Sequence, residues 1–245
     1  AQYKDFLYQR LQRQGFVRHD VHRLATRDRH VFSALMLQHG HGVGLITGVT
    51  RKSAHVLSLI NHVFDAKASD GAVGVTAVLH KGRIVLIADT LVQEWPEPED
   101  LATIAIRAAG VARSLGLEPR VAFVSFSTFG YPVSERATKM HVAPQVLDGM
   151  KVDFEYEGEM TVDVALNPEV MAQYPFCRLS GPANILVVPA RHSASISVKL
   201  MQEMAGATVI GPILAGVTKP IQICSTNSTV NDILNMAVMA ACKVG

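Results

Sequence analysis

The chain has 245 residues, of which 49% are hydrophobic and 18% are charged, and its formal net charge is +2. This length accommodates one large domain or two modest ones with a substantial core. No long apolar run is free of charge, and the charged N-terminal stretch AQYKDFLYQRLQRQG has no apolar signal segment, so we expect neither a membrane span nor secretion. Three scattered cysteines form neither a disulfide framework nor a zinc motif, which favours the cytoplasm.

The first third of the chain predicts helices around one strand. Apolar spacing of i, i+3 and i+4 indicates helices over residues 3–14 and 19–38, a buried strand in GVGLITGV, and a helix over residues 51–64. Residues 1–30 carry seven Lys or Arg against three Asp or Glu. Because aromatic interleaving and a recognisable binding motif are both absent, we expect a solvated face or a contact with a neighbour rather than nucleic-acid binding.

The middle of the chain alternates strands and helices. GAVGVTAVL and GRIVLIAD, joined by His80-Lys81-Gly82, predict a β-hairpin. WPEPEDLATIAIRAAGVARSLG predicts a helix, because proline and acidic residues open it and Gly116 follows its end. RVAFVSFS and TVDVAL both predict strands, with the loop TFGYPVSE after the first of them.

The last third predicts a buried strand in NILVVPA, a helix ending near Gly206, strands in ATVIGPILAG and KPIQIC, and a final helix. Strands that alternate with helices of 10–15 residues are typical of α/β folds. We therefore predict an α/β fold with mostly parallel sheets and an antiparallel portion at the hairpin.

Two apparent ligand motifs fail on their own requirements. GHGVGLITG lacks the third glycine of a dinucleotide fingerprint, because Thr47 stands at the sixth position after Gly42 and Gly44. His39 and His41 form an H-x-H pair with no carboxylate nearby, which favours two loop histidines over a metal site. No metal site is predicted in this chain.

Three polar loops follow predicted strands, where open α/β sheets place their ligands: residues 125–131, 191–197 and 225–232. In the third loop, Thr229 and Asp232 fit a capping box, which gives Asp232 a structural explanation. A helix N-terminus rich in hydroxyl groups also binds phosphate and other anions. The sequence alone leaves both interpretations open.

Four segments carry a resemblance to the phosphotransacetylase family: SFSTFG, GPANILVVPARHSASISVKLMQ, GATVIGPILAGVTKP and STNSTVNDILNMAVMAA. The match runs from about residue 3 to the end of the chain. The stretch YPFCRLSGPANILVVPARHSASIS most resembles the phosphotransacetylase-like C-terminal region of hybrid NADP-dependent malic enzymes, in which a malic enzyme comes first in the chain. The resemblance implies an excised region whose N-terminal part is truncated by several tens of residues.

This resemblance implies two α/β lobes with mostly parallel sheets, the second inserted into the first, and a ligand cleft between them. The first lobe would comprise residues 1–69 and 205–245, and the inserted lobe residues 70–204. The resemblance also implies a homodimer formed through this domain.

Active phosphotransacetylases move an acetyl group between CoA and phosphate, using an aspartate as base and a serine and several arginines around the acyl phosphate. The family serine and aspartate match Ser225 and Asp232. The family arginines match Thr226, Glu203 and, in the helix after Gly48, Ser58. Arginine binds phosphate through a planar fork that none of these residues supplies, so the resemblance predicts a catalytically degenerate site with no catalytic residue.

The hydroxyl and glycine framework that remains suits acetyl-CoA better than acyl phosphate. The resemblance therefore implies a regulatory domain that binds acetyl-CoA as an effector and controls the attached malic enzyme, where alone NADP and a divalent metal are expected. Two alternatives stay open: an active phosphate acetyltransferase in which Arg51, Arg178 or Arg191 replaces the lost arginines, and an oligomerisation scaffold with an empty cleft. The predicted acetyl-CoA contacts are Ser127, Thr128, Tyr131, Lys219, Pro220, Ser225, Thr226, Asn227, Asp232 and Arg51.

Overall fold

The computed structural model describes residues 2–64 and 71–242, apart from the side chains of residues 135 and 136. The helices are α1 (Gln2–Leu11), α2 (Arg18–Arg27), α3 (Arg29–Gln38), α4 (Ser53–Asn61), α5 (Pro98–Ser114), α6 (Glu135–Met150), α7 (Val162–Leu166), α8 (Pro168–Met171), α9 (Arg191–Ala205) and α10 (Val230–Ala241). The strands are β1 (Leu45–Gly48), β2 (Val73–His80), β3 (Arg83–Ala88), β4 (Arg120–Val124), β5 (Glu155–Met160), β6 (Ile185–Val187), β7 (Thr208–Ala215) and β8 (Ile221–Cys224).

The chain divides into two compact units, one made of Ala1–Asp70 with Gly216–Gly245 and the other of Gly71–Ala215. The sequence placed residues 205–215 in the first lobe, and this is wrong, because β7 belongs to the second unit. There it pairs antiparallel with β2 through six pairs of residues, and this strand pairing outweighs its closeness in the chain to β8. The other expected boundary, between residues 69 and 70, lies outside the described residues.

The first unit contains a parallel pair of strands, β1 and β8, in register from Leu45 opposite Ile221 to Gly48 opposite Cys224. Helices α3, α4 and α10 pack against this pair. Gly48 has a φ of +114°, and a Cβ at this position would lie 2.1 Å from the carbonyl oxygen of Cys224. Only glycine therefore allows the two strand ends to approach so closely.

The second unit contains a six-stranded sheet in the order β5-β4-β6-β3-β2-β7. The pairs from β5 to β3 are parallel, and the pairs β3-β2 and β2-β7 are antiparallel. On one face, Ile87 and Leu186 of the sheet cluster with Val164 of α7 and Ala194 of α9, while α5 packs on strands β2, β3, β4, β6 and β7. The predicted α/β fold with mostly parallel sheets is confirmed.

The sequence correctly predicted elements whose turns and caps are formed by residues close together in the chain. The predicted hairpin is β2-β3, and its turn residues Lys81 and Gly82 both have positive φ, at 47° and 74°. Such turns match the twist of the flanking strands. Helix α5 begins with Pro98 after a capping box in which the Glu97 amide donates to Asp100.

The helix predicted over residues 19–38 is in fact two helices. Asp28 ends α2 and caps α3, because its side chain accepts from the amides of His30 and Val31 at 3.0 and 3.1 Å. The apolar periodicity continues across this break, so it could not reveal the cap.

The strand predicted in TVDVAL is wrong, because residues 162–166 form α7. Its buried residues, Val164 and Ala165, are neighbours in the chain, which suits one face of a helix rather than an alternating strand. The strand lies just before it, in EYEGEM, and the sequence analysis missed it together with α6. In the part of the chain that the structure describes, no helix is long and apolar enough to cross a membrane.

Candidate functional site

In the first unit, the carboxyl ends of β1 and β8 lie side by side. The Val49 amide donates to the carbonyl of Cys224 at 3.2 Å, so the loop after β1 adjoins the start of the Ser225–Asp232 loop. Parallel strands present their ligands at this edge of a sheet. A cavity of about 290 Å³ opens here, and it is lined by Arg29, His30, Ser33, Ile46, Thr47, Gly48, Val49, Cys224 and Ile233.

His30 is the buried polar group of this cavity. Its side chain is almost fully buried, and its Nδ1 lies 2.7 Å from the hydroxyl oxygen of Thr47. Its Nε2 has no hydrogen-bond partner among the residues that the structure describes. Burial lowers the pKa of His30, so the ring is neutral at pH 7. The sequence analysis did not single out this residue, which lies inside an apparently continuous helix.

The Ser225–Asp232 loop bonds largely to itself. Ser225, Thr226 and Asn227 are all exposed. The hydroxyl oxygens of Ser225 and Ser228 are 3.2 Å apart, and Thr226 donates to the amide oxygen of Asn227 at 3.4 Å. The loop therefore offers neutral hydroxyl and amide groups at the start of α10.

Asp232 closes a capping box at the start of α10. Its Oδ2 accepts from the amide and the hydroxyl of Thr229, at 2.7 and 2.9 Å, and its own amide donates back to that hydroxyl. The structural interpretation of Asp232 is therefore confirmed. Burial, with a contribution from Asp232, raises the pKa of the neighbouring Cys224 thiol, which keeps it protonated and a poor nucleophile.

Lys219 and Pro220 lie at the opposite end of β8 from the Ser225–Asp232 loop. Lys219 is exposed, and the carbonyl of Pro220 accepts from the Leu45 amide at 2.8 Å, where the strand pairing begins. The four residues of β8 separate the two ends by about 13 Å. A small ligand at the loop would not reach Lys219, whereas an extended one such as CoA would have to run along the strand.

Arg51 is held by a carboxylate. Its Nη1 lies 2.6 Å from Oδ2 of Asp28, the residue that caps α3. Burial opposes ionisation of Asp28, but the Val31 and His30 amides and the Arg51 guanidinium together lower the pKa of this carboxyl. Arg51 thus completes a structural network at the α2–α3 junction.

We expect Asp28→Ala to lower the free energy of unfolding by about 2 kcal/mol, and Asp28→Asn and Arg51→Ala by about 1 kcal/mol or less. Asparagine keeps the cap and loses only the ion pair, which Arg51→Ala also removes. Because the folded pKa of Asp28 is lowered, its contribution is fully present above its ordinary value near 3.8 and is lost as the pH falls through the folded value. Urea unfolding of the wild type and the Asp28→Ala variant at pH 7 and pH 3 measures this pH dependence. An equal loss of unfolding free energy at both pH values would contradict the lowered pKa of Asp28.

The other two candidate arginines are also engaged by carboxylates. Arg178 donates to both carboxylate oxygens of Glu157 at 3.2 Å and to Asp148 at 2.8 Å. Arg191 donates to the carbonyl of Leu91 at 3.3 Å and lies 3.6 Å from a carboxylate oxygen of Glu94. Each guanidinium is therefore already neutralised by side chains of its own unit.

In the second unit, a buried carboxylate organises the loop that holds Ser127, Thr128 and Tyr131. Oε1 of Glu159 accepts from the Ser127 hydroxyl at 2.9 Å and from the Gly130 amide at 2.8 Å. Nδ1 of His141 lies 2.8 Å from Oε2 of the same carboxylate. Glu159 is 1% exposed, so Ser127 points inward and shapes the loop, while Tyr131 is 81% exposed.

A small cavity of about 180 Å³ lies beside this network and is lined by Gly130, Pro132, Val133, Ser134, Ala137, Thr138, His141 and Glu159. Thr128 bonds inside the loop, to the carbonyl of Tyr131 and to the Thr161 hydroxyl. The sequence analysis missed Glu159 and His141, because a glutamate in a polar-looking segment carries no local sign of burial.

The remaining predicted positions are on helix surfaces. Glu203 on α9 is exposed, and Ser58 on α4 is exposed and donates to the carbonyl of His55.

The two histidines of the H-x-H pair both contact Tyr3. His41 bonds to the Tyr3 hydroxyl, and the His39 ring packs on Tyr3. Among the described residues, no group of three or more His, Cys, Asp or Glu side chains is placed to hold a metal ion.

A family model described as phosphate acetyl/butaryl transferase matches residues 1–241. An NADP-dependent malic enzyme of Rhizobium meliloti is 50% identical over 243 residues, which cover 99% of this chain and 32% of that protein. A phosphate acetyltransferase of Thermoanaerobacterium thermosaccharolyticum is 31% identical over 226 residues, covering 88% of this chain and 68% of that protein. A solved phosphotransacetylase from Streptococcus pyogenes superposes with a TM-score of 0.89 at 26% identity, over all of this chain and 76% of that one.

Proposed function

Because this chain belongs to the phosphate acetyl/butaryl transferase family, we propose that it is a catalytically silent member that binds acetyl-CoA and regulates an attached NADP-dependent malic enzyme. The chain spans about a third of the length of the malic enzyme relatives that it matches. The attached enzyme would catalyse the oxidative decarboxylation of malate to pyruvate, and its NADP and divalent metal would lie outside this chain.

The engagement of the three candidate arginines by carboxylates carries the proposal. The family arginines are replaced by Thr226, Glu203 and Ser58, and the three arginines that could substitute for them each contact a carboxylate. A carboxylate that already contacts a guanidinium competes with a phosphate for its N–H groups. We propose that the chain keeps the family fold with a weakened acyl-phosphate site.

The groups that remain suit a thioester and its pantetheine chain. Hydroxyl and amide groups line the Ser225–Asp232 loop at the N-terminus of α10, and His30 lines the adjoining cavity. Neutral donors of this kind bind carbonyl and amide oxygens without the cations that a dianion requires. Acetyl-CoA presents such oxygens along its length.

A regulatory role requires that acetyl-CoA bind one state of the attached enzyme more tightly than another. Couplings between two sites typically amount to about 1–3 kcal/mol, or a change in affinity of roughly 5- to 150-fold. We propose a coupling of this size between the loop and the malic enzyme. We also propose that the protein is a homodimer, whose formation does not depend on acetyl-CoA.

The decisive experiment uses the protein that contains both this region and its malic enzyme. Calorimetry should show acetyl-CoA binding, and malate oxidation should respond to it. Asn227→Asp places a negative charge in the neutral loop, and we expect at least 10-fold weaker binding and a proportionate loss of the response, because an unpaired carboxylate repels ligand oxygens. Activity without acetyl-CoA should stay unchanged.

Lys219→Ala is the matched variant at the other end of β8. It removes an exposed cation at the far end of β8, about 13 Å from the loop. Weaker acetyl-CoA binding by this variant would indicate that a CoA phosphate extends along the strand to Lys219. If Asn227→Asp binds and responds like the wild type, the loop does not hold the ligand. If acetyl-CoA does not bind the wild type at all, the scaffold alternative is correct.

An active phosphate acetyltransferase is the second candidate function. The 31% identity to a phosphate acetyltransferase along two thirds of that protein favours it. It would require Arg51, Arg178 or Arg191 to leave its carboxylate partner when substrate binds. A direct assay of acetyl transfer separates the two functions.

A further inference from the structure

The small cavity of the second unit contains an acid–base pair that the proposed function does not use. Nδ1 of His141 lies 2.8 Å from Oε2 of Glu159. The Glu159 side chain is 1% exposed, whereas the His141 side chain is 46% exposed and lines the cavity of about 180 Å³. A buried carboxylate that holds one edge of a half-exposed imidazole is an arrangement that orients a general base.

The neighbours of Glu159 determine which nitrogen of His141 carries the proton. A carboxylate only accepts hydrogen bonds, and Oε1 already accepts from the Ser127 hydroxyl and the Gly130 amide. Nδ1 of His141 therefore donates to Oε2, which leaves the lone pair of the neutral ring on Nε2. Turning the carboxylate away from the histidine would break the bonds that hold the loop, so this tautomer is fixed by the fold.

The rest of the cavity suits a small acyl group. Its lining includes three apolar residues, Pro132, Val133 and Ala137. Ser134 and Thr138 add hydroxyl groups, and their spacing from His141 places all three on one face of α6. The volume corresponds to roughly six water molecules, which admits an acetyl group and one water but not a long acyl chain.

The first turn of α6 supplies a hydrogen-bond donor beside the histidine. Ala137 is the third residue of this helix, so its amide has no acceptor within the helix. Ser134 precedes the helix and does not cap it with its side chain. An amide in this position is suited to donate to the negative oxygen that develops when water attacks a carbonyl group.

We propose that His141 and Glu159 form a general-base site for the hydrolysis of esters of short carboxylic acids. Nε2 of His141 takes a proton from a water molecule, whose oxygen forms a bond to the carbonyl carbon of the ester. The bond from this carbon to the alcohol oxygen then breaks, and the leaving oxygen takes the proton from His141. One ester and one water thus give one acid and one alcohol, with no change of oxidation state.

Glu159 is a positioning residue in this reaction, because it acts through His141. The reaction is distinct from acetyl transfer to phosphate and needs neither CoA nor the Ser225–Asp232 loop of the first unit. It therefore does not rest on the proposed regulatory function, and either proposal can fail without the other.

The first test is hydrolysis of p-nitrophenyl acetate by the purified chain. We expect His141→Ala to lower kcat about 100-fold with little change in KM, which is the contribution typical of a general base. The matched control is His192→Ala, which removes an exposed histidine beside Trp95 in the same unit and should leave the rate unchanged. The octanoate ester should react about 10-fold more slowly than the acetate, because its chain does not fit the cavity.

A wild type with no hydrolysis above the buffer rate would overturn the proposal. Equal losses in His141→Ala and His192→Ala, or an octanoate ester as reactive as the acetate, would also overturn it.

A second test separates a positioning role of Glu159 from a structural one. In Glu159→Gln, the side-chain oxygen still accepts from Ser127 and Gly130, so the amide nitrogen faces Nδ1 of His141 and donates to it. The ring proton then lies on Nε2, which no longer accepts a proton from water. We expect a loss of rate as large as that of His141→Ala, although the loop stays ordered.

Added imidazole makes this test independent of any effect of the substitutions on folding. It should raise the rate of His141→Ala about 10-fold and leave the double variant His141→Ala with Glu159→Gln unchanged, because only the carboxylate orients the added ring. Wild-type activity in Glu159→Gln, or equal restoration of both variants by imidazole, would show that Glu159 only supports the loop and would refute the site.

Discussion

Supplied with CoA and acetyl phosphate, the chain should turn over at least 10⁴-fold more slowly than an active phosphotransacetylase. Removing one preorganised donor to a developing anion costs roughly 10²–10³ in rate, and we propose that Thr226 and Glu203 replace two such donors. Since typical enzymes turn over about 1–10³ times per second, we expect less than about 10⁻¹ per second. The rate of acetyl-CoA formation is measured from the absorbance of its thioester, with an active phosphate acetyltransferase assayed in parallel as the reference.

Restoring the arginines tests whether their loss causes the slow turnover. Thr226→Arg alone should recover little, because one guanidinium does not replace several donors, whereas Thr226→Arg with Glu203→Arg should raise the rate by at least 10-fold. Thr226→Lys with Glu203→Lys is the matched control, since it restores the charge without the planar fork. Wild-type turnover in the ordinary range would show instead that Arg51, Arg178 or Arg191 leaves its carboxylate, and would refute catalytic silence.

Glu159→Ala should lower the free energy of unfolding by about 2–5 kcal/mol. The substitution leaves the Ser127 hydroxyl, the Gly130 amide and the His141 ring without their shared acceptor, and each buried donor left unpaired costs about 1–3 kcal/mol. Phe129 and Gly130 both have positive φ, at 49° and 92°, so this loop is held in a conformation that needs support. Urea unfolding measures the loss of stability, and hydrogen exchange at the Gly130 amide measures the loosening of the loop.

Glu159→Gln and His141→Ala separate the parts of the network. Glutamine keeps an oxygen for Ser127 and Gly130, so we expect a loss of about 1 kcal/mol and an ordered loop. His141→Ala removes the half-exposed partner and should cost no more than that. If Glu159→Ala were as stable as Glu159→Gln, the carboxylate would not be what holds the Ser127–Tyr131 loop.

The sequence by itself determined the α/β class and most of the elements, because those depend on contacts within a few residues. The β2-β3 hairpin follows from a turn in which Lys81 and Gly82 accept positive φ. Helix α5 follows from the proline and acidic residues at its start, and α10 from a capping box in the sequence. The same local logic identified the cap at Asp232, and the family resemblance rested on segments around such turns and strands.

Tertiary structure alone decided which carboxylates are buried and which arginines are available. EYEGEM looks polar, yet it forms the edge strand β5, because Glu157 meets Arg178 and Glu159 meets Ser127, Gly130 and His141. These partners lie 18 to 32 residues away in the chain, so no local sequence pattern predicts these contacts. A charge is stable inside a protein only when such distant groups converge on it.

The same reason explains why the site could be predicted only in part. The sequence shows that Arg51 is a guanidinium but not that Asp28, 23 residues earlier, neutralises it. It places Lys219 near Ser225 along the chain, whereas the extended backbone of β8 carries them to opposite ends of a strand. It shows His30 as one residue in a helical run, and only the pairing of β1 with β8 creates the cavity that this residue lines.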